Sequence, residues 1–405
     1  MKDHISQNDP ALWRVAAIGI MIAFSYFLAS DMYVPSLPNI STDLNISNTL
    51  VRLSIPFFLV ALAISQLTYG PASDKYGRKP VILTGAVIYL AGSLLCFVSP
   101  TIAWLLTGRA IQGAGAGALL SLSRVIIQDT AKERFIEIMG WLSLFFMLAP
   151  SIAPVLGGLI ETYASWRVTF FVMLIFVVFA IFIVKFSLPE THPQQNRDPK
   201  ALHPLTIKAN YTEILSHLPF MIYTLCMVSG FAGVIVFYTL GPFILIQTFG
   251  LSPGAFGFIA LVLVSCAFIA RLYMSLVALP KFGANGTIIQ GLSLSIAASI
   301  LLCVIVFSGK VTVVNIVVCV SLYVMGGSLL GPVAAGSALN FFRHKAGSGG
   351  AMYGFLQMFG LFIISGIASL VAPTVTSLAA MLLVISLSAF VSFYTLIFNV
   401  KNRES

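Results

Sequence analysis

Apolar residues run along this chain in long blocks, and the polar ones are swept into the gaps between them. The hydrocarbon core of a bilayer is about 30 Å thick and an α-helix rises about 1.5 Å per residue, so about 20 mainly apolar residues make one crossing. Twelve blocks meet that length: residues 13–34, 50–71, 80–99, 102–123, 138–160, 167–187, 218–240, 254–279, 287–307, 312–334, 348–371 and 376–398. They are too long for barrel strands of about 10 residues, and only a helix satisfies its backbone within one segment. Residues 241–252 are expected to extend the seventh helix past Gly241-Pro242. A single connection is long and polar, residues 188–216, with Pro189, Pro193, Pro199 and Pro204. The expected fold is all-α and integral to the membrane: a six-helix bundle over 1–187, a central loop over 188–216 and a second six-helix bundle over 217–405.

Composition agrees. The 405 residues are 59% hydrophobic and 9% charged, against about 25% charged in soluble domains. The net charge of +9 points away from nucleic acid, because cytoplasmic loops of membrane proteins accumulate Lys and Arg. With the N-terminus inside, seventeen Lys and Arg fall on the cytoplasmic side and only Arg52, Arg167 and Lys310 opposite, which predicts both termini in the cytoplasm. Arg109 and Arg271 fall within spans. The apolar stretch at 15–28 lacks a small-residue cleavage site and reads as the first retained helix. All five cysteines lie in apolar blocks and all five histidines in loops or at span ends, so no metal site is expected and no cofactor is called for.

Few residues bring chemistry into the spans. The loop Gly70-Pro71-Ala72-Ser73-Asp74-Lys75-Tyr76-Gly77-Arg78-Lys79-Pro80 closes one helix on a glycine and starts the next with a proline. Asp74 is placed to pair with a cation or a helix N-terminus. Arg109, in Leu105-x-x-x-Arg109-x-x-Gln112-Gly113, lies in mid-span, where an arginine must face a polar cavity or a partner. The fifth span reads Ala149-Pro150-x-x-Ala153-Pro154-x-x-Gly157-Gly158, a pattern that bends a helix and allows close backbone contact. Of thirteen Asp and Glu, only Asp31 lies within a span; Glu137 and Glu161 mark the two ends of the fifth, and no acid occurs from Ile214 to Arg403. Burial favours the protonated acid while a nearby Arg109 favours the carboxylate, the opposition a proton carrier needs. Gly113, Gly115 and Gly117, with similar clusters in the tenth and eleventh spans, read as packing. Tyr26, Tyr33, Gln112, Phe237, Tyr238 and Phe359 are candidate lining for a substrate cavity.

The loop G-x-x-x-D-K-x-G-R-K resembles the signature of the major facilitator superfamily, and the Arg109 and Pro150–Gly158 stretches are similar to its fourth-helix and antiporter motifs, with alanine replacing glycine before both prolines. Asp31-Met32-Tyr33-Val34-Pro35-Ser36-Leu37-Pro38 closely resembles the signature of the bicyclomycin and chloramphenicol type of drug-resistance exporter, and Leu188-Pro189-Glu190-Thr191 fits the same group. Lys281-Phe282-Gly283 is a worn second copy of the first loop. The resemblance implies twelve helices in two halves, alternating access in a bacterial cytoplasmic membrane, a gating latch at Gly70, Asp74, Gly77, Arg78 and Lys79, and protons as coupling ion. Implied too are Asp31 and Arg109 as coupling residues and small amphipathic drug-like substrates carried by a monomer. One rival expectation is a dedicated exporter or importer of one metabolite, such as a siderophore or amino-acid derivative. An intramembrane enzyme is another, but the lack of a second acid or a histidine at depth argues against it.

Overall fold

A computed structural model describes residues 10–131, 135–197, 211–342 and 346–404. Twelve long helices order it: α1 Pro10–Asp31, α2 Ser54–Tyr76, α3 Arg78–Phe97, α4 Ile102–Ala131, α5 Phe135–Tyr163, α6 Trp166–Ser187, α7 Leu218–Pro242, α8 Pro253–Tyr273, α9 Leu279–Phe307, α10 Val313–Asn340, α11 Ala346–Leu370 and α12 Val375–Glu404. Among the described residues ten runs are long and apolar enough to cross a membrane, one of them the continuous stretch Pro253–Phe307. That stretch is two crossings, because Gly283 interrupts it at φ 66° and ψ −175°.

The helices obey one contact rule applied twice. α4 packs on α1, α2 and α3, and α10 packs on α7, α8 and α9; likewise α3 meets α6 as α9 meets α12. Adding six to a helix number therefore maps one half onto the other. Between the halves the main contacts are α5 with α8 and α2 with α11, a pair that the same operation exchanges. The turns obey it also. Gly77, between α2 and α3, has φ 98° and ψ 158°, close to the conformation of Gly283 at the start of the ninth crossing. Positive φ is open to glycine at little cost. So the second turn keeps the backbone of the first although it has lost most of its charges. The expected packing role of the glycines holds on α4, where Gly113 and Gly115 lie against the backbones of Phe58 and Tyr89.

Several boundaries differ from the expected ones: α2 runs to Tyr76 rather than 71, α9 begins at Leu279 rather than 287, and α10 ends at Asn340 rather than 334. α1 ends at Asp31, followed by a 3-10 turn at Val34–Ser36 and a short helix at Leu37–Asp43. Pro35 has no N–H for the helical ladder, so the chain tightens, with Ser36 N donating to the Tyr33 carbonyl at 2.9 Å. α4 runs eight residues past its expected end, because Arg124–Ala131 contains neither Gly nor Pro to stop it. Arg124, expected in a cytoplasmic loop, thus lies on a helix. Beyond α7 the chain continues as a π-helical turn at Phe243–Thr248, so Pro242 marks a change of pitch rather than a break.

Candidate functional site

The first turn of α3 explains the charged loop. Gly77 has no side chain to cap the new helix, so the exposed amides of Arg78 and Lys79 need an acceptor from elsewhere. Glu190 supplies it: Oε1 accepts from Arg78 N at 2.8 Å and Oε2 from Lys79 N at 3.3 Å. The Arg78 guanidinium then gathers three groups. Nη1 reaches Asp74 Oδ1 at 2.5 Å and Ser73 Oγ at 2.6 Å, and Nε reaches Asp129 Oδ2 on α4 at 2.9 Å. A side chain on Gly77 would collide with Glu190 and Arg197. Asp74, in the last turns of α2, therefore pairs across the turn to α3, while Gly70 lies further back on α2 with open space around it. Asp129 and Glu190, which sequence reasoning left in loops, complete the cluster. The signal for Glu190 was an N-terminus lacking a cap of its own.

Arg109 is 1% exposed and finds partners at depth. Its Nη1 donates to the Ala29 carbonyl at 2.7 Å and to Gln112 Oε1 at 2.5 Å, and its guanidinium lies 4.2 Å from the Tyr33 ring and 4.3 Å from that of Phe58. Ala29 is in the last turn of α1, where carbonyls lack helical donors, and a cation there also suits the helix dipole. Arg109 thus holds the broken end of α1 and forms no ion pair with Asp31 among the described residues. Asp31 is buried at that end beside the Ser30 hydroxyl, within electrostatic reach of Arg109, Tyr26 and Tyr238.

Of the cavity candidates, Tyr33, Gln112 and Phe237 are fully buried and packed in this state. Tyr33 OH bonds Ser54 Oγ at 3.1 Å, Gln112 Nε2 donates to Ser93 Oγ at 2.9 Å, and Phe237 stacks on Phe256 at 5.5 Å. A polar or aromatic residue at depth satisfies itself inside the bundle when a partner is available. Tyr238 is also nearly buried, its OH donating to the Pro150 carbonyl across the halves at 3.4 Å. Tyr26 and Phe359 are half-buried. Tyr26 on α1 lies within reach of Arg124, as does Tyr353 on α11. Arg124 is exposed although both halves approach it, so solvent enters between them at this level.

At the opposite end the halves close. Arg52, also 1% exposed, donates from Nη1 to the carbonyls of Ala368 and Val371 at the end of α11, at 3.1 and 2.9 Å. Asn48 Nδ2 reaches Gln247 Oε1 at 2.9 Å and Gly254 N reaches Thr162 Oγ1 at 3.1 Å. α5 makes this closure possible. Pro150 and Pro154 lie inside an unbroken helix; the Pro154 carbonyl abuts Gly257, and Gly158 abuts Pro253 on α8. Gly157 lies against the Met32 carbonyl, where any side chain would overlap it. α5 thereby touches the α1 break with one face and the other half with the next.

A family model described as Major Facilitator Superfamily matches residues 19–365. The chain belongs to that superfamily. As a member it is a multi-pass membrane transporter and not an enzyme. It is 30% identical over 393 residues to the Uncharacterized MFS-type transporter YdgK of Bacillus subtilis (strain 168), covering 93% of both chains. It is 27% identical over 352 residues to a Chloramphenicol resistance protein of Pseudomonas aeruginosa, covering 84% of this chain and 81% of the relative. The fold is shared with a partially occluded inward-open structure of the xylose transporter XylE from E. coli, with a TM-score of 0.72 at 12% identity over 96% of this chain and 98% of that one.

Proposed function

We propose that this protein is a proton-coupled exporter of small amphipathic, drug-like molecules, acting as a monomer in a bacterial cytoplasmic membrane. Residues 1–187 and 217–405 are the two moving halves, joined by 188–216, with both termini in the cytoplasm. Asp31 exchanges the proton. The observation that carries this reading is its placement: the only acid expected within a span sits at a helix break, held by Arg109 on one side and touched through Met32 by the antiporter-type helix on the other. A change in how the halves meet must change the surroundings of that carboxyl, which is what coupling requires. Tyr238, within reach of Asp31, bonds Pro150 across the halves, so both halves border that carboxyl. Resistance named for one relative supports drug-like cargo.

The test is Asp31→Asn in proteoliposomes. Uphill, pH-driven movement of a substrate is lost, while downhill exchange of labelled for unlabelled substrate persists. Uphill transport surviving in the variant would remove Asp31 as the coupling group.

A further inference from the structure

One buried acid is left unused by the scheme above. Glu161 lies in the last turn of α5 and is 8% exposed. Its Oε1 accepts a hydrogen bond from Asn39 Nδ2 at 2.5 Å, and Oε2 is buried beside the Ser36 hydroxyl. Asn39 and Ser36 are neutral, so neither offsets the charge of a carboxylate.

Among the described residues, the elements packed around Glu161 bring no cation to neutralise it. From the short helix Leu37–Asp43 the titratable neighbour is Asp43, another acid. From α6 comes Arg167, but its Nη1 is already on Asp43 Oδ2 at 2.6 Å and its guanidinium lies over Trp166. The first turn of α8 carries no charged side chain, and its amides at Gly254 and Ala255 are spent on Thr162 and Ser252. The C-terminal end of α5 adds its own partial negative charge. A buried carboxylate in such a place costs far more than a buried carboxylic acid.

We propose that Glu161 is a second proton-binding group of this transporter, protonated at Oε2 while the ends of α5 and α8 are closed on it and ionised once they part. On protonation an O–H bond forms at Oε2 and points at Ser36 Oγ; on opening that hydrogen passes to water. A glutamate in water is ionised at neutral pH. The same closure that seals Thr162 to Gly254 is therefore tied to proton occupancy one residue away. This inference rests on the proton-coupled reading, yet it concerns a group distinct from Asp31 and fails separately.

Infrared difference spectra between acidic and alkaline buffer test it on the purified full-length protein. Wild type and Asp31→Asn should both show a protonated-carboxyl signal at neutral pH that Glu161→Gln lacks and Glu161→Asp shifts. Wild type grown with 13C-glutamate keeps the test decisive if a variant fails to fold: the signal must move with the isotope. A signal unchanged in Glu161→Gln, a signal that ignores the glutamate label, or no protonated carboxyl at neutral pH would each overturn the proposal. Loss of the signal in Asp31→Asn alone would assign it to Asp31 and overturn it equally.

Discussion

Replacing Arg52 with alanine removes a guanidinium that joins the first half to the end of α11. Two of its hydrogen bonds cross between the halves, to Ala368 and Val371, and a third contact lays it 5.6 Å from the Phe243 ring. Its bonds to Asn48 and Thr49 are local and survive any motion of the halves. A hydrogen bond made by a charged group contributes about 1.5–3 kcal/mol. Water replaces part of that once the α11 carbonyls are uncovered, so a net loss of about 2 kcal/mol is reasonable for the two together. With about 1.4 kcal/mol per decade, the ratio of opened to closed ends rises roughly thirtyfold. Spin labels on the exposed residues Thr101 and Ser308, one on each half, should report a longer-distance population in Arg52→Ala that is scarce in the parent. Arg52→Lys, which keeps the charge but cannot reach both carbonyls with one planar group, should fall between. An unchanged distance distribution in Arg52→Ala would refute the argument.

Three further outcomes follow from the gating loop and the charge pattern. Asp74 is 46% exposed in its pair with Arg78, so Asp74→Asn should cost less than about 1 kcal/mol of stability and act on transport rate more than on substrate affinity. Arg78→Ala, which strips Ser73 and Asp129 as well, should cost about 2 kcal/mol and lower the melting temperature measurably in detergent. Equal melting of the two variants would contradict the central role given to Arg78. Single cysteines at residues 75–79, 195–205 and 401–405 should resist an impermeant reagent added outside intact cells; labelling at two of the three from outside would reverse the proposed topology.

How much of this was legible in the sequence depends on the range of the cause. The spans were legible because lipid acts on every residue in a block of about 20. That a turn separates the second and third helices was legible, but its place was not: the helix expected to stop by residue 71 runs to Tyr76 and turns at Gly77. The partners of Arg78 were less so: Glu190 stands 112 positions away, and only the missing cap on α3 hinted at it. Arg52 was read as one more outer cation, since nothing near it in the chain foretells the α11 carbonyls. Asp31 was found by its rarity and Arg109 does lie within electrostatic reach of it, but the bond that holds Arg109 to the unsatisfied end of α1 left no mark in the sequence. The burial of Tyr33, Gln112 and Phe237 was not legible for a similar reason: their type marks depth in the membrane, not which side of the helix meets water.

The missing acids of the second half have a mechanical consequence. From Ile214 to Arg403 no aspartate or glutamate occurs, so no carboxyl side chain within the spans of that half changes charge with pH. The carboxyls through which acidity can act on the spans all lie in the first half. The second half is then the stator of the device, and the backbone pivot preserved at Gly283, with Lys281 as its remaining cation, marks a bearing that turns but is not driven by acid.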